Sequence, residues 1–150
     1  MPRDRSHSAK PQREATNLPA PEPVRYYDAD GNLLPDLVDQ EAEKWARQLA
    51  NVRTAQLRRF YDSVLALARQ IQLQAPEPQH RERAFQTLKA QFKMLRSKAA
   101  YTQKRNRLPE SFLRFFVNHT AAVQSYKDFE AFRRHFEAVM GFHRFFAREP

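Results

Sequence analysis

Apolar residues recur at intervals of three and four from Asp36 to Phe146, which is the spacing of helices that bury one face. No stretch alternates apolar and polar residues with period two, so strands are not expected. The pattern predicts five helices, at residues 36–50, 54–75, 79–103, 109–123 and 125–146. Because the chain has only two Gly and short connections, we predict an all-α fold, a compact antiparallel five-helix bundle.

The predicted helix starts rest on capping side chains and one proline. Asp36 and Thr54 are expected to cap the first and second helices, because a short polar side chain can accept a hydrogen bond from the first free N–H groups. Pro109 suits the first turn of the fourth helix. Either Ser125 or Asp128 is expected to cap the fifth.

The N-terminal region has a different composition. Residues 1–23 show no apolar periodicity, and six of the ten Pro lie in residues 1–35. A segment of this kind cannot bury enough surface to offset its chain entropy. We therefore expect a disordered tail at 1–23 and a folded domain at 24–150.

A turn is expected next, at Asp30-Gly31 within YYDADGNLL (26–34). The DxDG run also resembles the start of a calcium loop. However, Gly31 comes too early and no Glu follows at the required position, so no metal site is expected.

Absent features narrow the class of protein. The chain has no Cys, which excludes disulfides and Cys-ligated zinc. No apolar run approaches the roughly 20 residues that span a bilayer, and the N-terminus lacks the apolar core of a signal peptide. The sequence therefore predicts a soluble cytoplasmic protein.

The net charge of +9 is concentrated in the centre of the chain. Residues 51–107 hold thirteen basic and three acidic residues, a net charge of +10. Arg outnumbers Lys nineteen to seven, and guanidinium groups bind phosphate through two parallel hydrogen bonds. This localised charge favours a nucleic-acid partner. Solubility alone, or an anionic membrane surface, would also account for it.

The third predicted helix carries much of this charge, since no acidic residue occurs between Arg83 and Pro109. Its basic residues are expected to form one stripe that runs beside the buried face. The stripe consists of Lys89, Lys93, Arg96, Lys98, Lys104, Arg105 and Arg107. If the second and third helices pack side by side, the same surface would gain Arg53, Arg58, Arg59 and Arg69. Such contacts hold a nucleic-acid backbone without reading its sequence. Tyr101 could stack on an unpaired base or lie half-buried in the bundle.

No arrangement of residues indicates catalysis, a cofactor or a metal. None of the five His forms a metal-binding pair four residues apart, and the chain lacks a Gly-rich phosphate loop and a nucleophile elbow. His119 and His143 lie on apolar helix faces, which favours hydrogen-bonded core residues over catalysts. We expect the chain not to be an enzyme. A metal-independent ribonuclease that uses a His pair is the less favoured alternative.

Four segments, in order, resemble one known family. They are LPDLVDQEAEKWARQL (34–49), TAQLRRFYD (54–62), KAAYTQKR (98–105) and FEAVMGFHRFF (136–146). Together they are similar to the small helical subunit of type III-A CRISPR effector complexes, the Csm complex, over about residues 24–147. The second segment resembles that family's Thr-capped helix opening, and the third its Lys-x-x-Tyr-x-x-x-Arg element.

The resemblance implies a five-helix, non-catalytic subunit in antiviral defence. Several copies would stack along the complex, beside the guide RNA and the target RNA that pairs with it. The implied partners are these RNAs, the other subunits and copies of the chain itself, with no membrane and no small-molecule substrate. Apart from the resemblance, a helical adaptor whose basic face docks an acidic protein is a further alternative.

The predicted RNA-binding residues come from two sources. The resemblance implies contacts at Arg58, Lys98 and Arg105, although Arg58 could instead pair within the bundle. The charge pattern and the possible stacking role add Lys93, Arg96, Tyr101, Lys104 and Arg107.

Overall fold

Helices account for most of residues 17–149, the part of the chain that the computed structural model describes. They are α1 (Gln40–Gln48), α2 (Thr54–Gln74), α3 (Arg81–Asn106), α4 (Glu110–Ala122) and α5 (Tyr126–Phe146). Short 3-10 turns, Pro35–Val38 and Pro78–His80, precede α1 and α3. Within the described residues, β-structure is limited to one isolated bridge between Tyr27 and Leu33. The prediction of an all-α five-helix bundle is confirmed.

The helices pack around α5, which contacts α1, α2 and α3. In turn, α3 packs against both α2 and α4, and α1 also touches α4. The outer flanks of α2 and α3 therefore lie next to each other at the surface. No helix in the described part of the chain is long and apolar enough to cross a membrane.

Aromatic rings fill the core. Phe115 of α4 lies between two other helices, with ring centroids 5.3 Å from Trp45 of α1 and 5.2 Å from Phe136 of α5. Phe60 joins α2 to this cluster through Phe112, at 5.2 Å and with the ring planes at 90°. Edge-to-face pairs contribute about 0.5–1.5 kcal/mol each beyond their buried area. The cluster therefore fixes the relative positions of four helices.

The start of α1 differs from its prediction. Residues Pro35–Val38 form a separate 3-10 turn, and Asp39, with φ −134° and ψ −105°, separates this turn from α1. The N–H of Asp39 donates to the backbone carbonyl of Asp36 at 3.1 Å. The prediction that Asp36 caps a helix at 36–50 is therefore wrong, because Asp36 takes part in the turn through its backbone and its side chain makes no capping bond.

The start of α2 uses a side chain from the far end of the chain. Thr54 is the first helical residue, and the carboxylate of Glu149 accepts hydrogen bonds from its N–H, at 3.1 Å, and from its hydroxyl. The prediction that Thr54 caps this helix is wrong, because its hydroxyl donates to Glu149 and accepts nothing from the helix. A negative charge at this end suits the helix dipole. The hydrogen bonds from the Thr54 hydroxyl and N–H lower the pKa of Glu149.

The caps of the last two helices follow the sequence more closely. Of the two candidates for α5, Ser125 is the cap, since its hydroxyl oxygen accepts from the N–H of Asp128 at 3.1 Å. The Asp128 carboxylate accepts from the N–H of Gln124 at 3.0 Å, one residue before that cap. Pro109 lies directly before α4, one residue ahead of its predicted place in the first turn.

The segment before α1 runs across α4. The N–H of Glu22 donates to the side-chain oxygen of Asn118 at 2.8 Å, and the Tyr26 hydroxyl lies 2.7 Å from Nδ1 of His119. Most of the predicted disordered tail, residues 1–16, lies outside the described residues. Glu22, near the end of that predicted tail, is held on α4, and the domain boundary at residue 24 stays a prediction.

The turn predicted at Asp30-Gly31 is confirmed. Gly31 has a φ of +83°, a conformation that favours glycine, and the Asp28 carboxylate accepts from the N–H groups of Asp30 and Asn32, both at 2.9 Å. These bonds make the DxDG run a self-capped turn. Within residues 17–149, no three His, Asp or Glu side chains come together in a way that could hold a metal ion.

Candidate nucleic-acid interface

The basic residues of α3 divide between two flanks of the helix. A helix rotates by about 100° per residue, so basic residues that follow one another along the sequence need not share a side. Lys89, Lys93 and Arg96 lie on the flank beside α4, with Lys104 three turns after Lys93. The flank beside α2 carries Lys98, Tyr101 and Arg105. The prediction of one continuous stripe is therefore wrong.

On the α4 flank, Lys93 is bound by the protein itself. Its Nζ donates to the backbone carbonyl of Thr120, in the last turn of α4, at 2.6 Å. Lys89 similarly reaches the side-chain oxygen of Gln124 at 3.2 Å. A cation stabilises the free carbonyl groups at the C-terminal end of a helix. Partial burial, and then the charges of Lys89 and Arg96, lower the pKa of Lys93.

On the α2 flank, a groove of about 430 Å³ runs between α2 and α3. Its floor is apolar, formed by the half-buried ring of Phe60 and by Leu95, which is 5% exposed. The exposed cations Arg59 and Lys98 line it from the two helices. Its remaining lining residues are Ser63, Ser97, Tyr101 and Thr102, so no acidic side chain lines this groove.

Tyr101 presents an open aromatic ring at this groove, since 63% of the residue is exposed. The guanidinium of Arg105 donates to its hydroxyl at 2.8 Å, and the central carbon of that guanidinium lies 5.8 Å from the ring centroid. Of the two alternatives for Tyr101, the half-buried bundle residue is therefore wrong. Stacking on a base stays a prediction.

A second groove, of about 840 Å³, lies between the start of α2 and the turn that joins α3 to α4. Arg53, Arg59 and Arg107 supply its cations, and Arg59 lines both grooves. No acidic residue lines the second groove either. Among residues 17–149, none of these three arginines forms an ion pair with an acidic side chain, although the pKa of the Glu149 carboxylate is lowered by its hydrogen bonds with Thr54 and also by the charge of nearby Arg53. The two grooves thus form one positively charged surface, called here the α2–α3 surface.

Arg107 lies in this surface in an unusual backbone conformation. It ends α3 with φ 55° and ψ 45°, the left-handed region that glycine adopts most easily. Other residues lose about 1–2 kcal/mol in that region. The turn is held by the N–H of Arg107, which donates to the Gln103 carbonyl, and by the Gln103 side chain, which donates to the Leu108 carbonyl at 2.8 Å. Strained backbone of this kind clusters at functional sites.

The segment TAQLRRFYD contributes Arg59 to the grooves instead of the predicted Arg58. Arg58 lines neither groove and lies near Tyr61, on the flank of α2 that faces Arg133 and Glu137 of α5. Four arginines of the second predicted helix were expected beside the basic residues of α3. Arg53, directly before α2, and Arg59 lie there, whereas Arg58 and Arg69 do not line the grooves. The pattern of α2 alone does not tell which of its two flanks meets α3.

Comparison with known proteins identifies the family of the chain. The model of the family described as Csm2 Type III-A matches residues 33–149, which include all five helices. The chain belongs to this family. No curated protein and no solved structure matches it. As a Csm2 family member, the chain is a structural subunit of a type III-A CRISPR effector complex.

Two of the four segments that resemble Csm2 face each other across the first groove. Arg59 and Phe60 come from the segment at 54–62, and Lys98 and Tyr101 come from the segment at 98–105. The recognition of the family from its sequence segments is confirmed. The segments that made the chain recognisable therefore also build much of its charged groove.

Two of the buried histidines have hydrogen-bond partners within the fold. Nε2 of His143 lies 3.0 Å from the carbonyl of Leu49 and 2.9 Å from that of Val52. Nδ1 of His119 lies 2.7 Å from the hydroxyl of Tyr26, in the segment before α1. The expectation that His119 and His143 are hydrogen-bonded core residues is confirmed.

A third buried histidine, His135, was not predicted. Its Nδ1 donates to the backbone carbonyl of Leu37, and its ring centroid lies 5.1 Å from that of His119. Burial lowers the pKa of both His119 and His135, so both rings are neutral in the folded protein near pH 7. His135 lies between Phe132 and Phe136 on the apolar face of α5, and this position in the sequence could have identified it as a buried residue.

Proposed function

We propose that the chain holds an RNA backbone within the type III-A effector complex, and that the α2–α3 surface makes the contacts. One observation carries this proposal: Arg59 joins two grooves that are lined by Arg and Lys and by no acidic residue. Guanidinium groups bind phosphate through charge-assisted hydrogen bonds. Such contacts fix the position of an RNA strand but do not read its bases.

The proposed contacts follow the geometry of the two grooves. They are Arg53, Arg59, Lys98, Tyr101 and Arg107, which line the grooves, and Arg105, which lines neither groove but donates to the Tyr101 hydroxyl. Four residues of the predicted set, Arg58, Lys93, Arg96 and Lys104, lie away from the grooves. They contribute less in this proposal, and Lys93 in particular already binds Thr120.

The same proposal includes the partners. The bound RNA would be the guide RNA together with its target, and neighbouring copies of the chain and other subunits would lie along it in the cytoplasm. Membership in the Csm2 family supports this arrangement. Several copies in register would raise the overall affinity above that of one chain, because each later contact is made at a high local concentration.

We also propose that the chain performs no catalysis. His119, His135 and His143 are buried, and each has a hydrogen-bond partner within the fold. Labelled RNA that is incubated with the metal-free protein should stay intact. Cleavage that disappears in His119→Ala or His143→Ala would instead support a ribonuclease.

Salt-dependent RNA binding by the full chain tests the proposed surface. The double variant Lys98→Ala/Arg105→Ala should bind less tightly, and the slope of log affinity against log salt should fall by about one for each phosphate contact that is lost. The matched control is Arg134→Ala/Arg144→Ala, which removes the same charge from exposed positions on α5 that line neither groove.

Two outcomes would contradict the proposal. If the two double variants lose affinity equally, net charge and not the α2–α3 surface governs binding. If the chain binds no RNA, either alone or assembled in its complex, the alternative of an adaptor for an acidic protein is favoured.

A further inference from the structure

The floor of the first groove has a chemistry that phosphate binding does not require. Phosphate groups bind N–H and O–H donors, whereas Phe60 and Leu95 offer only apolar surface. The Phe60 ring is held in place, with centroids 5.2 Å from Phe112 and 4.8 Å from Phe116. The groove therefore keeps a fixed apolar floor between two cations, which suits a ligand with both a flat apolar part and a negative charge.

We propose that this groove receives the base of an unpaired nucleotide, while the adjoining groove holds phosphates of the same strand. The inference rests on the proposed function, and it names the part of the RNA that enters the surface. A nucleotide combines a flat ring and a negative phosphate. Phe60 and Leu95 offer the apolar surface for the ring, and Arg59 and Lys98 offer positive charge for the phosphate.

The size and the lining of the groove agree with such a ligand. Its volume of about 430 Å³ lies within the range of roughly 300–1,000 Å³ that is typical of small-molecule sites. The open ring of Tyr101 lies at the groove, and Arg105 holds its hydroxyl. Stacking on an aromatic side chain contributes about 1–3 kcal/mol per base and works for every base. The hydroxyl of Thr102 adds a polar partner that does not depend on base identity, whereas the Ser63 hydroxyl donates to the Arg59 carbonyl at 3.1 Å and can only accept a further bond.

Arg59 links the two halves of the proposed site. It lines both grooves, so it would meet the phosphate of the inserted nucleotide where the strand passes from one groove to the other. Arg53 and Arg107 then follow in the second groove. A base that is paired in a duplex is not available for insertion, so the first groove would take an unpaired position of the guide–target RNA, and a fully paired duplex would leave that groove empty.

Binding of the full chain to three RNA probes tests this inference. The probes are a single-stranded RNA, the same backbone with abasic riboses, and a fully paired duplex of the same length. At low salt, we expect the intact strand to bind roughly tenfold more tightly than the abasic strand, which corresponds to about 1.4 kcal/mol. The two strands should show the same salt slope, because they carry the same phosphates. The duplex should also bind less tightly than the intact strand.

Variants assign this preference to the groove. Ser63→Phe fills the groove from an exposed position on α2, and Tyr101→Ala removes the ring, so each should reduce the preference for the intact strand without changing the salt slope. Tyr101→Phe keeps the ring and should retain the preference. Gln72→Phe, at an exposed α2 position that lines neither groove, is the matched control and should behave as the wild type.

The outcomes separate this inference from the proposed function. Equal binding of intact and abasic strands, with a normal salt slope, would overturn base insertion and leave the phosphate contacts in place. A preference that survives Ser63→Phe would place the base elsewhere and would also overturn the inference. Absence of salt-dependent binding to every probe would overturn both proposals.

Discussion

The ammonium group of Lys93 lies 2.6 Å from the backbone carbonyl of Thr120, so this lysine joins the middle of α3 to the last turn of α4. The contact matters because the charge pattern alone assigns Lys93 to RNA. A hydrogen bond from a cation to the end of a helix stabilises the fold, whereas a cation free in solvent contributes little.

We therefore expect Lys93→Met to lower the free energy of unfolding by about 1 kcal/mol, because it removes the donor to Thr120 and keeps most of the side-chain stem. Urea unfolding measures this. Lys104→Met is the matched control, since Lys104 lies on the same flank of α3, is exposed and makes no side-chain hydrogen bond within the described residues. Equal stability of the two variants would show that the Lys93 contact contributes nothing.

The pKa of Glu149 should lie below the usual value for a glutamate, because the hydroxyl and the N–H of Thr54 donate to its carboxylate. A carboxyl NMR titration measures it directly. Thr54→Ala removes the larger of these two causes and should raise the Glu149 pKa towards its ordinary value. A pKa that Thr54→Ala leaves unchanged would contradict this assignment.

Stability should fall as the pH is lowered below about 6.5, where a histidine in the unfolded chain begins to take up a proton. His119 and His135 have lowered pKa values in the folded protein, so unfolding binds protons in this range. Above about pH 6.5, the two histidines make their full contribution to the free energy of unfolding. Below that pH, each histidine is expected to reduce the free energy of unfolding by up to about 1.4 kcal/mol per pH unit.

Urea unfolding between about pH 7.5 and 5.5 measures that slope, in a range where most carboxylates stay ionised. His119→Gln should make the slope shallower, because one proton fewer is taken up on unfolding. A stability that does not change across this range would show that the buried rings accept protons in the folded state.

Loss of the α5 cap should be measurable by itself. Ser125→Ala removes the oxygen that accepts from the N–H of Asp128, and a lost N-cap lowers stability by about 1 kcal/mol. Ser97→Ala is the control, because its hydroxyl donates to the Met94 carbonyl on the surface of α3 and caps no helix start. Thermal unfolding should separate the two variants.

Much of the fold follows from the sequence, because the apolar residues of each helix keep one face over many turns. Local geometry was harder to predict. Asp36 and Thr54 are both good capping residues by type, yet Asp36 lies in a 3-10 turn and Thr54 meets Glu149. Since Glu149 is 95 residues away along the chain, no local pattern around Thr54 could indicate this contact.

The candidate site, too, follows from the sequence only in part. The sequence locates the excess charge in residues 51–107, and both grooves draw their cations from that region. It does not tell that Lys93 reaches Thr120 or that Arg59, not Arg58, faces α3. Each of these depends on which helix packs on which flank, and neighbouring helix positions differ by about 100°. Tertiary packing therefore decides which of two adjacent arginines is available to a ligand.

The backbone of Arg107 gives a fifth prediction. Arg107→Gly should raise the free energy of unfolding by up to about 1 kcal/mol, because glycine adopts its φ of 55° without a steric penalty. The same variant should weaken RNA binding and reduce the salt slope by about one. Arg107→Ala separates the two effects, since it removes the guanidinium and keeps the Cβ atom.

The opposition between stability and RNA binding that is predicted for Arg107 would have a consequence for protein engineering. A search for thermostable variants would favour glycine at position 107. The selected protein would be more stable and would bind RNA less tightly. The residue that makes the end of α3 unfavourable would be among the first to be replaced in such a search. Libraries built to stabilise this chain should therefore hold Arg107 constant, or score RNA binding together with melting temperature.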